Sequence, residues 1–436
     1  MTPGRSSAML ASLAALVAAA GTAVAQPPSV TRHVLPNGMA VVVRENPVAP
    51  VVTASLQVRA GSRFETAETA GITNFLVRTM IRGTARRSGT QVAETAEDIG
   101  GTLDASGEVE SAEIRGEALA RHWEELLGLI AEVALEPSLR GEEIERERRL
   151  VLSQIKTRAE TPFSLSLDTL LRELYGSHPY AWHSLGLKSA VERLGRAQLA
   201  AHYRAVFRAD RAVLAVSGQV SRERVVRAAE RLFTKLPRSG AHEVGAAPPA
   251  APSGERRVLE RPAQQAQILA GYLGPGLNDP AYPAFRVLGA VLGAGTAGRL
   301  FAELRERRGL AYSLGALTPF RTGPSFLVTY LGTAPENSAA AEAGLLAELE
   351  KLRRAPVSDE ELARAKAYLL GSFALDRRTN ARQAWHLAFF EVIGVGWDFP
   401  ERYARALEAV TTADVEAVAQ RYLNRPSIVV LQPPPR

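Results

Sequence analysis

The chain repeats itself at a near-constant offset of about half its length, and this duplication constrains the fold more than any single motif. Strand-like TASLQVRAG (53–61) leads through an acidic loop into a helical stretch around Asn74. AQILAGYLG (266–274) leads likewise through Asn278, Asp279 and Pro280 into a helical stretch around Val287. Later, Ile130-Ala131-Glu132 followed by Glu142-Glu143-Ile144 is echoed by Leu346-Ala347-Glu348 followed by Glu360-Glu361-Leu362. A duplicated domain predicts a constant offset, and each copy mixes period-two strands with long amphipathic helices. The expected class is therefore α+β: two homologous domains, each a mainly antiparallel sheet packed on helices. Residues 238–255, rich in Pro, Gly and Ala with no apolar period, read as the linker between a first domain at 26–237 and a second at 256–436.

Residues 1–25 have the layout of a secretory signal peptide: Arg5, an apolar run from Ala8 to Ala20, and Ala23-Val24-Ala25 before Gln26. Cleavage near Ala25 and a periplasmic or secreted, soluble product are expected. The apolar run is short and alanine-rich for a membrane span, and nothing later is long enough. With no cysteine, disulfides and thiolate metal sites are excluded. A pI near 9.7 invites a nucleic-acid reading. The charge pattern argues against it, because the arginines alternate with glutamates, as in Glu142 to Arg149, and form no single-sign stripe that could follow phosphates.

Several segments share one frame. LPNGMAVVVREN (35–46), GSRFETAETAGITNFL (61–76) with Arg82-Gly83-Thr84, HPYAWHSLG (178–186) and LFAELRERRGLAYSLGA (300–316) follow one another in this order. Together they resemble the pitrilysin and insulinase superfamily of zinc peptidases, in its branch similar to the mitochondrial processing peptidases and their bacterial two-subunit relatives. The resemblance covers nearly the whole chain beyond residue 25, and implies two halves curving around a cleft as half of a clamshell. In that family an inverted His-x-x-Glu-His helix binds zinc through its two histidines, and the glutamate activates water. Here the corresponding positions hold Asn74, Val77 and Arg78. The resemblance places the third ligand seven residues after Glu147, where this chain has Gln154. Zinc needs imidazole or anionic donors, typically three from protein in a catalytic site. Amides are poor substitutes, and Arg78 sets a permanent cation close by.

On a helix expected from about Ala67 to Arg82, Ile72, Phe75, Leu76 and Met80 form the buried side, leaving Asn74, Val77 and Arg78 to converge on the other. No metal is expected in this chain. The seven histidines offer no alternative, since His178 and His183 have no favoured ligand spacing and the others stand alone. In the second half the resemblance assigns peptide holding to an arginine and a tyrosine seven apart, matched by Arg305 and Tyr312. A helix from about Arg299 to Arg308, closed by Gly309, would aim both at one mouth. Gly293 to Gly298 spells G-x-G-x-x-G, but the preceding YPAFRVLGAVL has helical spacing, so a flexible connection fits better than a dinucleotide loop.

These features together favour a non-catalytic, substrate-holding subunit that binds peptide beside a homologous partner carrying the zinc. A scaffold protein with the peptidase fold is the alternative, and an independent peptidase with unconventional ligands the least favoured.

Overall fold

The computed structural model describes residues 29–238 and 248–434. The expected leader at 1–25 and the centre of the expected linker at 238–255 lie outside the described residues. The first half builds a sheet from β1 (Val30–Val34), β2 (Ala40–Glu45), β3 (Val51–Val58), β4 (Thr102–Gly107), β5 (Ala112–Leu119) and β6 (Ala212–Gly218), in the order β1-β2-β6-β3-β5-β4. The second half builds one from β7 (Arg256–Glu260), β8 (Ala266–Gly274), β9 (Ser313–Leu317), β10 (Ser325–Thr333) and β11 (Ser427–Gln432), in the order β7-β11-β8-β10-β9. Without β1 the two orders are the same strand for strand. Even the parallel pair recurs, as β2 with β6 and β7 with β11, while the remaining pairs are antiparallel. The α+β expectation with two homologous domains holds.

Strand alternation explains how the halves join. Along β2, Val41 and Val43 face the first core while Ala40 and Val42 face the other way. Along β6, Leu214 and Val216 point into the first core, Val213 and Ala215 away from it. With both faces apolar, each central strand needs a cover on each side. The first sheet receives its second cover from the other half, where the helix Asn380–Val392 packs on β3 and β6. Reciprocally, the helix Pro162–Tyr175 packs on β8 and β11, where Leu170, Leu171 and Leu174 meet Leu269 and Val429. These two helices occupy equivalent places in the duplicated order. Each half thus lends the other one helix.

A buried carboxylate helps to tie the seam. Glu110, buried in the β4–β5 turn, accepts hydrogen bonds from Thr322 N at 3.0 Å, Thr322 Oγ1 at 2.8 Å, Arg63 Nη1 at 3.0 Å and the Tyr180 hydroxyl. Arg63 and Tyr180 belong to the first half and Thr322 to the second. Replacing Glu110 by alanine strands these donors in a buried seam, and a loss of about 3 kcal/mol in unfolding free energy is expected. Urea denaturation followed by circular dichroism measures it, and a loss below about 0.5 kcal/mol would show the knot to be dispensable.

Candidate functional site

The helix carrying the motif positions runs from Ile72 to Met80, shorter than the expected 67–82. Its start is set by Glu65, whose buried carboxylate accepts from Gly71 N at 2.6 Å and Thr73 N at 2.9 Å. An anion against the first free N–H groups is favoured by the helix dipole. Burial pushes the Glu65 carboxyl up, and these hydrogen bonds pull it part of the way back. Gly71 adopts a φ of 98°, in the left-handed region, and a side chain there would collide with the backbone of Leu185 and Gly186. The segment 178–186 therefore locks the approach to this helix, which gives its glycine and its tight turn a structural reason.

The expected division into a buried and an open side needs correction. Val77 is fully buried in the first core, and Asn74 is buried as well. β4 and the helices Arg196–Val206 and Gly141–Glu160 enclose the helix, so a one-sided amphipathic pattern does not apply. Asn74 Oδ1 accepts from Gly107 N at 3.3 Å, which ties the helix to β4, and Asn74 Nδ2 is buried without a hydrogen-bond partner. Asn74, Val77 and Arg78 do not converge; of the four positions matched to the metal site, only Arg78 and Gln154 meet.

Arg78 organises what remains. Its Nε donates to Glu147 Oε2 at 3.0 Å and its Nη1 to Gln154 Oε1 at 2.7 Å. Arg82, one turn on, donates Nε to Glu147 Oε1 at 2.7 Å. Glu147 is completely buried, and each of its oxygens is held by a guanidinium group. The partnership with Arg82 was not foreseen. Its signal was present in two arginines four residues apart at the end of the expected helix 67–82.

Zinc does not fit this arrangement. Asn74 Oδ1 is spent on Gly107, Val77 has no donor atom, Gln154 Oε1 accepts from Arg78, and both Glu147 oxygens are engaged by cations. Among the described residues no cluster of three His, Asp, Glu or Cys side chains could hold a metal ion. The histidines of 178–186 have other work. His178 Nδ1 accepts from Tyr180 N and His183 Nδ1 from Leu185 N, both at 3.1 Å, and burial lowers both pKa values to about 4.

In the second half, Phe301–Arg307 forms a π-helix rather than the expected α-helix, and Gly309, with φ 62°, closes it. Leu310 N donates to Leu304 O across the cap at 2.7 Å. Arg305 is exposed, lies over the Phe301 ring and donates Nη1 to Tyr312 O at 2.9 Å, so the two positions are coupled through the backbone. The Tyr312 side chain is 60% exposed immediately before β9, one of the two edge strands of its sheet. Gly293 to Gly298 joins the helix Tyr282–Gly293 to this π-helix, with no strand before it.

The profile described as "Insulinase (Peptidase family M16)" matches residues 40–186, and that described as "Peptidase M16 inactive domain" matches 193–369. The chain belongs to the insulinase family, peptidase family M16. A protein of Mycobacterium tuberculosis described as an uncharacterized zinc protease is 28% identical over 403 residues, 90% of this chain and 91% of its own length. Among solved structures, a peptidase M16 inactive domain from Pseudomonas fluorescens matches with a TM-score of 0.86 at 24% identity, over 93% of this chain and 99% of that one. A chain of complex III2 from Candida albicans matches with a TM-score of 0.80 at 20% identity, over 92% and 95%. At these identities the two structures speak to the fold alone.

Substituting Arg78 by methionine leaves Glu147 with Arg82 as its remaining ion-pair partner, and should lower the unfolding free energy by about 2 kcal/mol. Adding Glu147→Met should cost less than the two single losses summed, by at least about 1 kcal/mol. A double-mutant cycle in urea measures the coupling, and strict additivity would mean that Arg78 and Glu147 do not support one another.

Proposed function

We propose that this chain is the non-catalytic, substrate-holding subunit of an exported zinc metallopeptidase acting on peptides, in which a homologous partner subunit carries the metal. The observation that carries the reading is the Arg78 guanidinium lying between Glu147 and Gln154, on the helix where the family's peptidases place zinc ligands. A side chain bonded in this way is a fixed occupant. Peptide holding falls to Arg305 and Tyr312. Arg305 is steadied by Phe301 and the Tyr312 carbonyl, and its guanidinium offers further donors to a peptide carbonyl or carboxylate. The Tyr312 phenol adds another donor at the same mouth. The layout of residues 1–25 supports export and a periplasmic or secreted location. No helix among the described residues is long and apolar enough to cross a membrane.

The second reading is a scaffold that uses the peptidase fold only for assembly. Its support is that a chain of complex III2 has this fold across nearly its whole length. The Arg78, Glu147 and Arg82 network suits it too, because it braces two helices whether or not peptide is bound.

Mixing this protein with its zinc-bearing partner should produce peptide hydrolysis that neither gives alone. Arg305→Ala or Tyr312→Phe should lower the rate of the mixture about tenfold or more with assembly intact. A partner that is fully active by itself, or variants that leave the rate unchanged, would sink the substrate-holding role and leave the scaffold.

A further inference from the structure

The duplication lets one place in the molecule be compared with its own copy. The helix Tyr282–Gly293 stands where Ile72–Met80 stands, Asp359–Asp376 where Gly141–Glu160 stands, and β9 where β4 stands. In the first half the gap among these elements is closed by Arg78, Glu147 and Gln154, and by Asn74 against Gly107. In the second half it is open. A cavity of about 530 Å³ lies there, adjoining a smaller one of about 250 Å³ through shared walls at Ala290, Ala294 and Tyr368.

The walls state what kind of group would enter. Gly289, Ala290 and Gly293 keep the helix side flat, while Leu317 and Leu369 line flanks and Phe320, Phe373 and Tyr403 bring aromatic rings. Two charged groups border the larger cavity, and each already has partners, while Glu361 and Arg364 beside the smaller one are paired with Arg299 and Glu360. Arg286 donates to the Thr318 carbonyl and to the Tyr403 hydroxyl at 3.1 Å, and lies over the Phe320 ring. Asp376 accepts from Arg382 at 2.7 and 3.0 Å and pairs with His386 at 2.7 Å. An ion entering here would find its counter-charges occupied and would lose its hydration. A neutral, bulky side chain would exchange water for apolar and aromatic contacts, and the volume is that of an ordinary ligand site. The outer edge of β9, unpaired among the described residues, and Tyr312 just before it run along the same side of the fold.

We infer that the gap between the helices Tyr282–Gly293 and Asp359–Asp376 is a specificity pocket that takes one aromatic or large aliphatic side chain of the bound peptide. This rests on the peptide-holding reading for its peptide, but the pocket itself can be probed without one. It is the vacant twin of the place that Arg78 plugs in the first half.

N-acetyl-phenylalaninamide should bind the full-length protein at this place, seen by crystal soaking and by chemical-shift titration, at least about tenfold more tightly than N-acetyl-glycinamide. Ser372→Trp, from an exposed position lining the cavity, or Ala294→Leu should abolish that preference while the thermal midpoint stays unchanged. Equal binding of the two amides, or a preference that survives both substitutions, overturns the pocket. Labelled decapeptides with a single Phe or Gly, offered to the assembled complex, separate this inference from the one before it. If peptides bind through Tyr312 but Phe gives no advantage, the pocket fails and the holding role stands. If Phe is preferred and Tyr312→Ala changes nothing, the pocket stands and the role of Tyr312 fails.

Discussion

The buried carboxylate of Glu147 is the constraint around which the first half is arranged. A lone ionised carboxylate out of water costs several kcal/mol after relaxation. One guanidinium at contact distance returns about 4 kcal/mol at an effective dielectric near 20, which roughly balances that cost. Two of them, from Arg78 and Arg82, make the group favourable and orient it on both oxygens. The same pairing consumes the lone pairs and the space that a metal would need. With Arg82, the Arg78 guanidinium balances the charge of Glu147, and it closes the space beside Gln154.

A second constraint is topological. Each sheet is apolar on both faces, so neither half can be covered by its own helices alone, and the reciprocal placement of Pro162–Tyr175 and Asn380–Val392 answers that need. Glu110 then fixes the register of the seam, with partners from both halves. Outside this frame some elements of the second half are lightly buried. Only Ala365 and Leu369 of the long helix Asp359–Asp376 are buried, and Tyr312 and Tyr368 stand exposed. These two tyrosines thus project from the fold without being buried in its core.

Much of this was legible in the residues. The constant offset foretold two like sheets, because a duplicated chain must repeat its strand pairing, and period-two alternation located β3 and β8. That Asn74, Val77, Arg78 and Gln154 bring no imidazole or carboxylate was readable from the residues alone. The enclosure of Asn74 and Val77 was not legible, since helical periodicity marks the face toward one core and says nothing of a second strand or helix closing over the other side. Nor was the exchange of helices between halves, which depends on where a chain segment packs and not on its amphipathic pattern. The capping role of Glu65 was hidden for a related reason: it lies outside the helix it caps, beyond the reach of a local signature. The π-helical form of Phe301–Arg307 was missed because helical spacing alone does not separate it from an α-helix.

The central claim is that Arg78 holds the place of the metal. Equilibrium dialysis against zinc followed by elemental analysis tests it most directly, with the wild-type chain compared with the variant Asn74→His, Val77→Glu, Arg78→His, Gln154→Glu. The account predicts no stoichiometric zinc in the wild type and stoichiometric zinc in the fourfold variant. Stoichiometric zinc in the wild type that disappears with Gln154→Ala would contradict it.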